Sequence, residues 1–184
     1  FRIYSMTKAI TSAAALMLEE EEKLDLDDPL SQFFPPLKRM KIWKDGNLID
    51  TEREATVRDL MRHTSGLTYG WKSSKPIREA LRSAGVLDRN KKLVSMINGM
   101  DKVPLQFQPG SDWVYGCSTD VLGGVVEVAS GMPFDEFLEE RIFKPLKMKD
   151  TGFYVPANKV KRFAANYNYR KGMLTMIDNP KTSR

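Results

Sequence analysis

The sequence predicts a mainly helical α/β domain with short strands at its margins. Two apolar stretches and a scarcity of strands point that way. From about Met6 to Leu18 the chain is alanine-rich, and Met6, Ile10, Ala13 and Met17 recur as one stripe of a 3.6-residue period. From about Thr119 a second apolar run continues to Ser130-Gly131, a helix-stop signal. Strand-like segments are few and short. At 184 residues, 41% hydrophobic and 29% charged, the chain is long enough to bury one substantial core.

The elements follow in order. Glu19 to Lys23 reads as the solvated end of the first helix. Leu24 to Leu30 reads as a turn into a short helix, with Asp28 as cap and Pro29 as the first helical residue. Phe34-Pro35-Pro36 stops it. Met40–Trp43 and Leu48–Asp50 flank Asp45-Gly46, the signature of a small surface hairpin. Thr56 caps a helix of about two turns that ends at Gly66. Pro76–Ser83 and Lys91–Met100 are further short helices. The helix from Thr119 contains glycines and valines, so packing has to hold it. Phe134–Phe143 is amphipathic and halted by Pro145. Phe153–Val155, Phe163–Tyr167 and Met173–Ile177 are strand-like.

Charge and cysteine usage bound the function classes. The 29 basic and 24 acidic residues give a net charge of +5, spread along the chain without a nucleic-acid motif, so a solvated surface is expected and nucleic-acid binding is not. One cysteine rules out an internal disulfide framework, and one Cys with one His rules out a Cys/His zinc site. No segment has the length of a membrane-spanning helix. The abrupt start, without Met, reads as part of something longer, one domain that is truncated over 1–184.

Chemistry concentrates at the first helix. Ser5 stands where that helix begins, and Lys8 follows three residues on, one turn away on the same face. A serine hydroxyl needs a base, and a lysine with an ordinary pKa near about 10.4 becomes one when burial disfavours its charged form. The helix start adds N–H groups and positive field for an oxyanion. Taken alone, Ser-x-x-Lys is a common pattern and reads first as a capped helix with a solvated lysine. His63 reads as a structural hydrogen-bonder: Ser65 is too close in sequence to pair with it, and there is no Gly-x-Ser-x-Gly elbow.

Several stretches together resemble the serine β-lactamase and penicillin-binding-protein-like superfamily, in particular its class C β-lactamase-like group with the family VIII carboxylesterases. They are Ile3–Ala9 for the nucleophile motif, Lys23–Pro29 for the turn after that helix, Val57–Leu67, Gln108-Pro109-Gly110 with Tyr115 and Leu122-Gly123 for the second motif, and Pro145–Thr151. The resemblance covers nearly the whole chain. It implies the β-lactamase/transpeptidase-like α/β fold, of which this chain is mainly the helical part, with the central antiparallel sheet largely missing. It also implies an acyl-enzyme mechanism with no metal or organic cofactor. Ser5 is then the acylated nucleophile and its N–H an oxyanion donor, Lys8 the base, and Tyr115 the tyrosine that exchanges protons with the serine and leaving group. Read without the family, Tyr115 is an aromatic anchor under the next helix.

Two departures refine the expectation. The second motif is usually Tyr-x-Asn, whereas this chain has Tyr115-Gly116-Cys117, and cysteine offers no amide to a β-lactam side chain. That leans towards esters, with Cys117 a packing residue. The third motif, Lys-Thr-Gly or a variant, has no counterpart in the sequence. The expected function is a serine hydrolase acting on a small-molecule carboxylic ester, or on an amide or β-lactam. The competing reading is a catalytically impaired binding or scaffold protein, or a truncated gene product.

Overall fold

The computed structural model describes residues 1–86, 88 and 90–182. They form two compact units, one of residues 10–134 and one of residues 1–9 with 135–184. The boundary falls inside α1, Thr7–Glu20. Among the described residues the only sheets are two antiparallel hairpins, so the expectation of helices with marginal strands holds.

The larger unit is built around α5, Ser118–Ser130, in which seven residues are buried. It packs against α2, Val57–Arg62, and α4, Leu93–Asn98. Its glycines make that approach possible. A Cβ on Gly124 would lie 2.2 Å from Ile97 Cδ1 and 3.0 Å from Phe34 Cζ. Helix propensity is given up here for close packing, as the glycines and valines of this run require. Gly131 closes the helix with φ 70°.

On α1 the buried residues are Thr11, Ala14, Ala15 and Leu18. The sequence expectation of a Met6, Ile10, Ala13, Met17 stripe is therefore offset by one position: Met6 is 70% exposed and Ala13 is exposed. Alanine and threonine tolerate either face, so the period alone did not determine the buried side. Three element ends also shift. Pro29, not Asp28, precedes the 3₁₀ turn Leu30–Gln32, while the Asp28 carboxylate accepts from the Asp25 N–H. Pro35 opens a second 3₁₀ turn, Pro35–Arg39, where it was expected only to end a helix, because the fixed φ of proline suits a first helical position. α2 ends at His63, which takes a left-handed C-cap conformation at φ 57°, three residues before Gly66.

The hairpin β1, Lys41–Lys44, with β2, Asn47–Asp50, turns at Asp45-Gly46, both at positive φ. It is more than a surface feature, since Ile42 is buried and the Lys41–Trp43 backbone also bonds Leu105. Two stretches identified separately in the sequence meet here. Asp27 accepts a bidentate pair from Arg58 at 2.8 and 2.9 Å, and the Val57 and Arg58 N–H groups bond the Asp28 and Leu26 carbonyls.

α2 starts on a capping box between Thr56 and Asp59. Asp59 is 3% exposed and accepts from Arg53 at 2.6 and 3.1 Å, from the Thr56 N–H at 3.0 Å and from the Thr64 hydroxyl at 2.9 Å. Burial by itself raises the Asp59 pKa, but the guanidinium and the other two donors outweigh it and hold the carboxyl below its usual range. Past His63, residues 65–73 are fixed by buried hydroxyls: Ser65 to Ser118 at 3.0 Å, Thr68 to Ser73 at 3.1 Å, and Ser73 to Gln106 at 2.7 Å. α3, Lys75–Ala84, follows and buries Ile77 and Leu81.

The smaller unit contains most of α6, Phe134–Leu138, which continues as a π-helical turn over Glu139–Phe143. Its hairpin joins β3, Asn166–Arg170, to β4, Met173–Asp178, through Lys171-Gly172, both at positive φ. The Met173 strand was expected, and its partner lies a few residues later than the expected Phe163–Tyr167. Phe153–Val155 is not a strand but an exposed bend.

Two predictions follow from the larger unit. Asp59→Asn is expected to cost about 1–3 kcal/mol at neutral pH, because a charged acceptor of buried hydrogen bonds is lost. The Asp59 contribution is complete above the unfolded carboxylate pKa of about 3.9 and is lost as pH falls through the lower folded value. Chemical denaturation from pH 7 to pH 2 should therefore show a constant gap between wild type and D59N above about pH 5, closing in acid. Gly116→Ala should cost about 1–3 kcal/mol in the same assay, since its Cβ would meet the Leu67 carbonyl oxygen at 2.3 Å and Thr68 Cα at 2.5 Å, backbone that cannot rotate aside.

Candidate active site

At the head of α1, Tyr4–Met6 form a 3₁₀ turn that runs directly into the helix. Ser5 lies inside this turn, not at a cap, and the Thr7 N–H bonds the carbonyls of Tyr4 and Ser5. The helical rise brings Lys8 back over Ser5, with Nζ donating to Oγ at 3.5 Å. Ser5 is exposed and Lys8 half-buried; burial along this helix begins only at Thr11, so the enclosed lysine expected from sequence is replaced by a half-open one.

The turn is held by residues that the sequence reading did not single out. Tyr4 adopts φ 43°, a left-handed conformation that is costly for a side chain of this size and collects at functional sites. Its hydroxyl accepts from Asn166 Nδ2 at 3.0 Å. Arg2 pairs with Asp178 and lies over the Phe163 ring at 5.4 Å. The open end of the β3–β4 hairpin, where Asn166 is paired with Asp178, thus holds the segment on which Ser5 sits. These partners lie more than 160 residues away in sequence, and no local signal could have found them.

Tyr115 belongs to the larger unit, and its surroundings are aromatic. The His63 ring stacks on it at 5.1 Å and 24°. Trp71 is near-parallel at 6.1 Å and 22°, while Tyr69 and Trp113 lie tilted at 6.0 and 6.4 Å. Tyr115 is half-buried, whereas Trp71 and Trp113 are 74% and 60% exposed. The His63 N–H and carbonyl join the C-cap of α2 to Val114, and its ring stacks on Tyr115. Tyr69 donates to Asp120 at 2.9 Å. Burial, then the Asp120 charge, pushes the Tyr69 pKa strongly upward, which leaves its phenol protonated and fixed.

Gly116 lets the chain pass against the Leu67–Thr68 backbone, which brings the loop carrying Tyr69 and Trp71 to the start of α5. Cys117 is fully buried, with Sγ 3.5 Å from the Thr68 carbonyl, and burial pushes its thiol up to about 12. A protonated, enclosed thiol is a packing group and not a nucleophile. Among the described residues no cluster of His, Cys, Asp or Glu is arranged to hold a metal ion, and no helix is long and apolar enough to cross a membrane.

Known proteins share this arrangement of elements. The chain is 34% identical over 171 residues to Esterase EstB of Burkholderia gladioli, covering 91% of this chain and 41% of that protein. It is 35% identical over 156 residues to a lovastatin esterase of Penicillium rubens, covering 82% and 38%. Among solved structures, EstCE1, a hydrolase with promiscuous acyltransferase activity, superposes with a TM-score of 0.77 at 26% identity, over 94% of this chain and 44% of that one. The chain therefore spans about two-fifths of the length of the relatives it matches. The Beta-lactamase family model matches residues 1–182, and with the relatives and the shared β-lactamase/transpeptidase-like fold this places the chain in the Beta-lactamase family.

Proposed function

We propose that this chain carries the nucleophile, base and proton-relay residues of a serine hydrolase that cleaves a small-molecule carboxylic ester through an acyl-enzyme. The observation that carries the reading is the Ser5–Lys8 pair, the hydroxyl on the 3₁₀ turn at the head of α1 and the amine in its first turn, 3.5 Å apart, in a chain of this family. Esterase-named relatives support the reaction class.

In this reading Lys8 as the neutral amine takes the Ser5 proton, and Oγ bonds to the ester carbonyl carbon. The tetrahedral oxyanion is met by the Ser5 N–H at the helix head. As the carbon–oxygen bond to the alcohol breaks, the departing oxygen takes a proton, the role the family resemblance gives Tyr115, and Lys8 gives up the proton it took, so that every group returns to its starting state. Water then repeats the sequence in reverse, releasing the acid and restoring Ser5. The stack of His63 and Trp71 on Tyr115 keeps its ring from turning, so its oxygen stays at one position. The enclosed Cys117 in place of an amide-bearing residue favours esters over β-lactams as substrates.

A fluorophosphonate probe is expected to label the protein on Ser5, to fail with Ser5→Ala, and to react roughly 10²–10⁴-fold more slowly with Lys8→Ala. An absence of labelling would favour the binding or scaffold reading. Tyr115→Phe should lower kcat/KM on an aryl acetate by at least about 10²-fold while leaving thermal stability near wild type. Tyr115→Phe keeps the ring stack, so an equal loss of stability would mark the phenol as a structural group instead.

A further inference from the structure

One rung of the β3–β4 hairpin meets two residues of the segment that carries Ser5. Asn166 and Asp178 are paired across the hairpin; Asn166 donates to the Tyr4 hydroxyl at 3.0 Å, and Asp178 accepts from Arg2. Tyr4 is the residue immediately before Ser5. We propose that Asn166 is a positioning residue for acyl transfer, holding Tyr4 in its left-handed conformation so that the Ser5 hydroxyl keeps its place beside the Lys8 amine. The proposal rests on the ester-hydrolase reading above for the reaction, and on the hairpin contacts for the geometry.

Tyr4 has to be held. At φ 43° it occupies a well that an L-residue takes roughly tenfold less readily than the right-handed one. Ile3 before it is right-handed at φ −94°, so the backbone reverses hand one residue ahead of the nucleophile. Burial does not account for this, because the Tyr4 side chain is 61% exposed. The Met6 N–H bonds the Ile3 carbonyl at 3.0 Å across the turn, but a right-handed residue at position 4 closes the same bond. The contact that selects the left-handed form is therefore the tie from the phenol to Asn166.

The hairpin is shaped for that task. Its ladder is irregular between Asn166 and Tyr167, and such irregularities re-aim a side chain out of the regular pleat. Arg2, two residues before Tyr4, is anchored to the same rung through Asp178 and lies over the Phe163 ring at 5.4 Å. Two anchors two residues apart fix the rotation of the segment as well as its place. Rotation matters here, since Lys8 Nζ and Ser5 Oγ are 3.5 Å apart, at the outer limit of a hydrogen bond, and a small turn of Ser5 separates them.

The rate at which a fluorophosphonate labels Ser5 reads this geometry in one chemical step. Asn166→Ala and Tyr4→Phe each cut the tie, and each is expected to slow labelling about tenfold, following the share of turns that stay left-handed. The double variant should be no slower than either alone, since both changes remove one link. Tyr4→Gly in the Asn166→Ala background should bring the rate back to within about threefold of wild type, because glycine takes the left-handed well without a tie. A contact that only stabilised the fold would not be rescued by removing more of it. Wild-type rates in the single variants, about a hundredfold loss in the double variant, or no rescue by Tyr4→Gly overturns the proposal. Tyr4→Phe leaves the hairpin intact and decides the outcome if Asn166→Ala does not fold. Crystal structures of wild type and Tyr4→Phe give a readout that needs no reaction: the variant is expected to show position 4 at negative φ and a longer Lys8 Nζ–Ser5 Oγ distance, and unchanged geometry overturns the proposal. A wild type that takes no label sinks the hydrolase reading, and the crystal comparison then decides the positioning by itself.

Discussion

A helix returns to the same face every three to four residues, and that constraint governs the candidate chemistry. With Ser5 and Lys8 three apart, the hydroxyl and the amine meet without any help from the rest of the fold. What the fold must supply is everything the helix cannot: a turn at its head held in a fixed orientation, a third proton-carrying group, and a surface for the substrate. The structure devotes long-range contacts to the first of these. Tyr4 at positive φ is tied to Asn166, and Arg2 to Asp178, so the strained turn is held from the distant hairpin.

The larger unit is organised by close backbone approach. Gly116 against Leu67–Thr68 and Gly124 against Ile97 and Phe34 are places where a single methyl group would push elements apart. Between them, the buried hydroxyl pairs of Ser65, Ser118, Thr68 and Ser73 satisfy the polar groups that this closeness encloses. The result is an ordered loop, 65–73, that presents Tyr69 and Trp71 beside Tyr115. The aromatic cluster is a consequence of backbone packing, and a groove next to it is lined by the same loop and by α3.

Much of this was legible in the residues. Asp45-Gly46 marked its hairpin because few residues other than Asp, Asn and Gly tolerate that turn, and Thr56 marked the start of α2 as a capping residue, though its reciprocal partner Asp59 emerged only in the structure. Ser5 and Lys8 were legible because their partnership is local. The buried face of α1 was not, since threonine and alanine carry too little hydrophobic contrast to choose a side. The Asn166 strand was obscured by its polar alternation of Asn and Tyr. Tyr4–Asn166, Tyr69–Asp120 and the stack of His63 on Tyr115 are pairings between distant positions, and a single chain read residue by residue gives no sign of who meets whom.

The central claim is that Ser5 becomes covalently acylated during turnover. Rapid acid quench of the protein with an excess of an aryl butyrate, followed by mass spectrometry of its peptides, addresses it directly. The account predicts a butyryl increment on the peptide containing Ser5 and none in the Ser5→Ala variant. Turnover with no acylated peptide, or with the acyl group on another side chain, would contradict it.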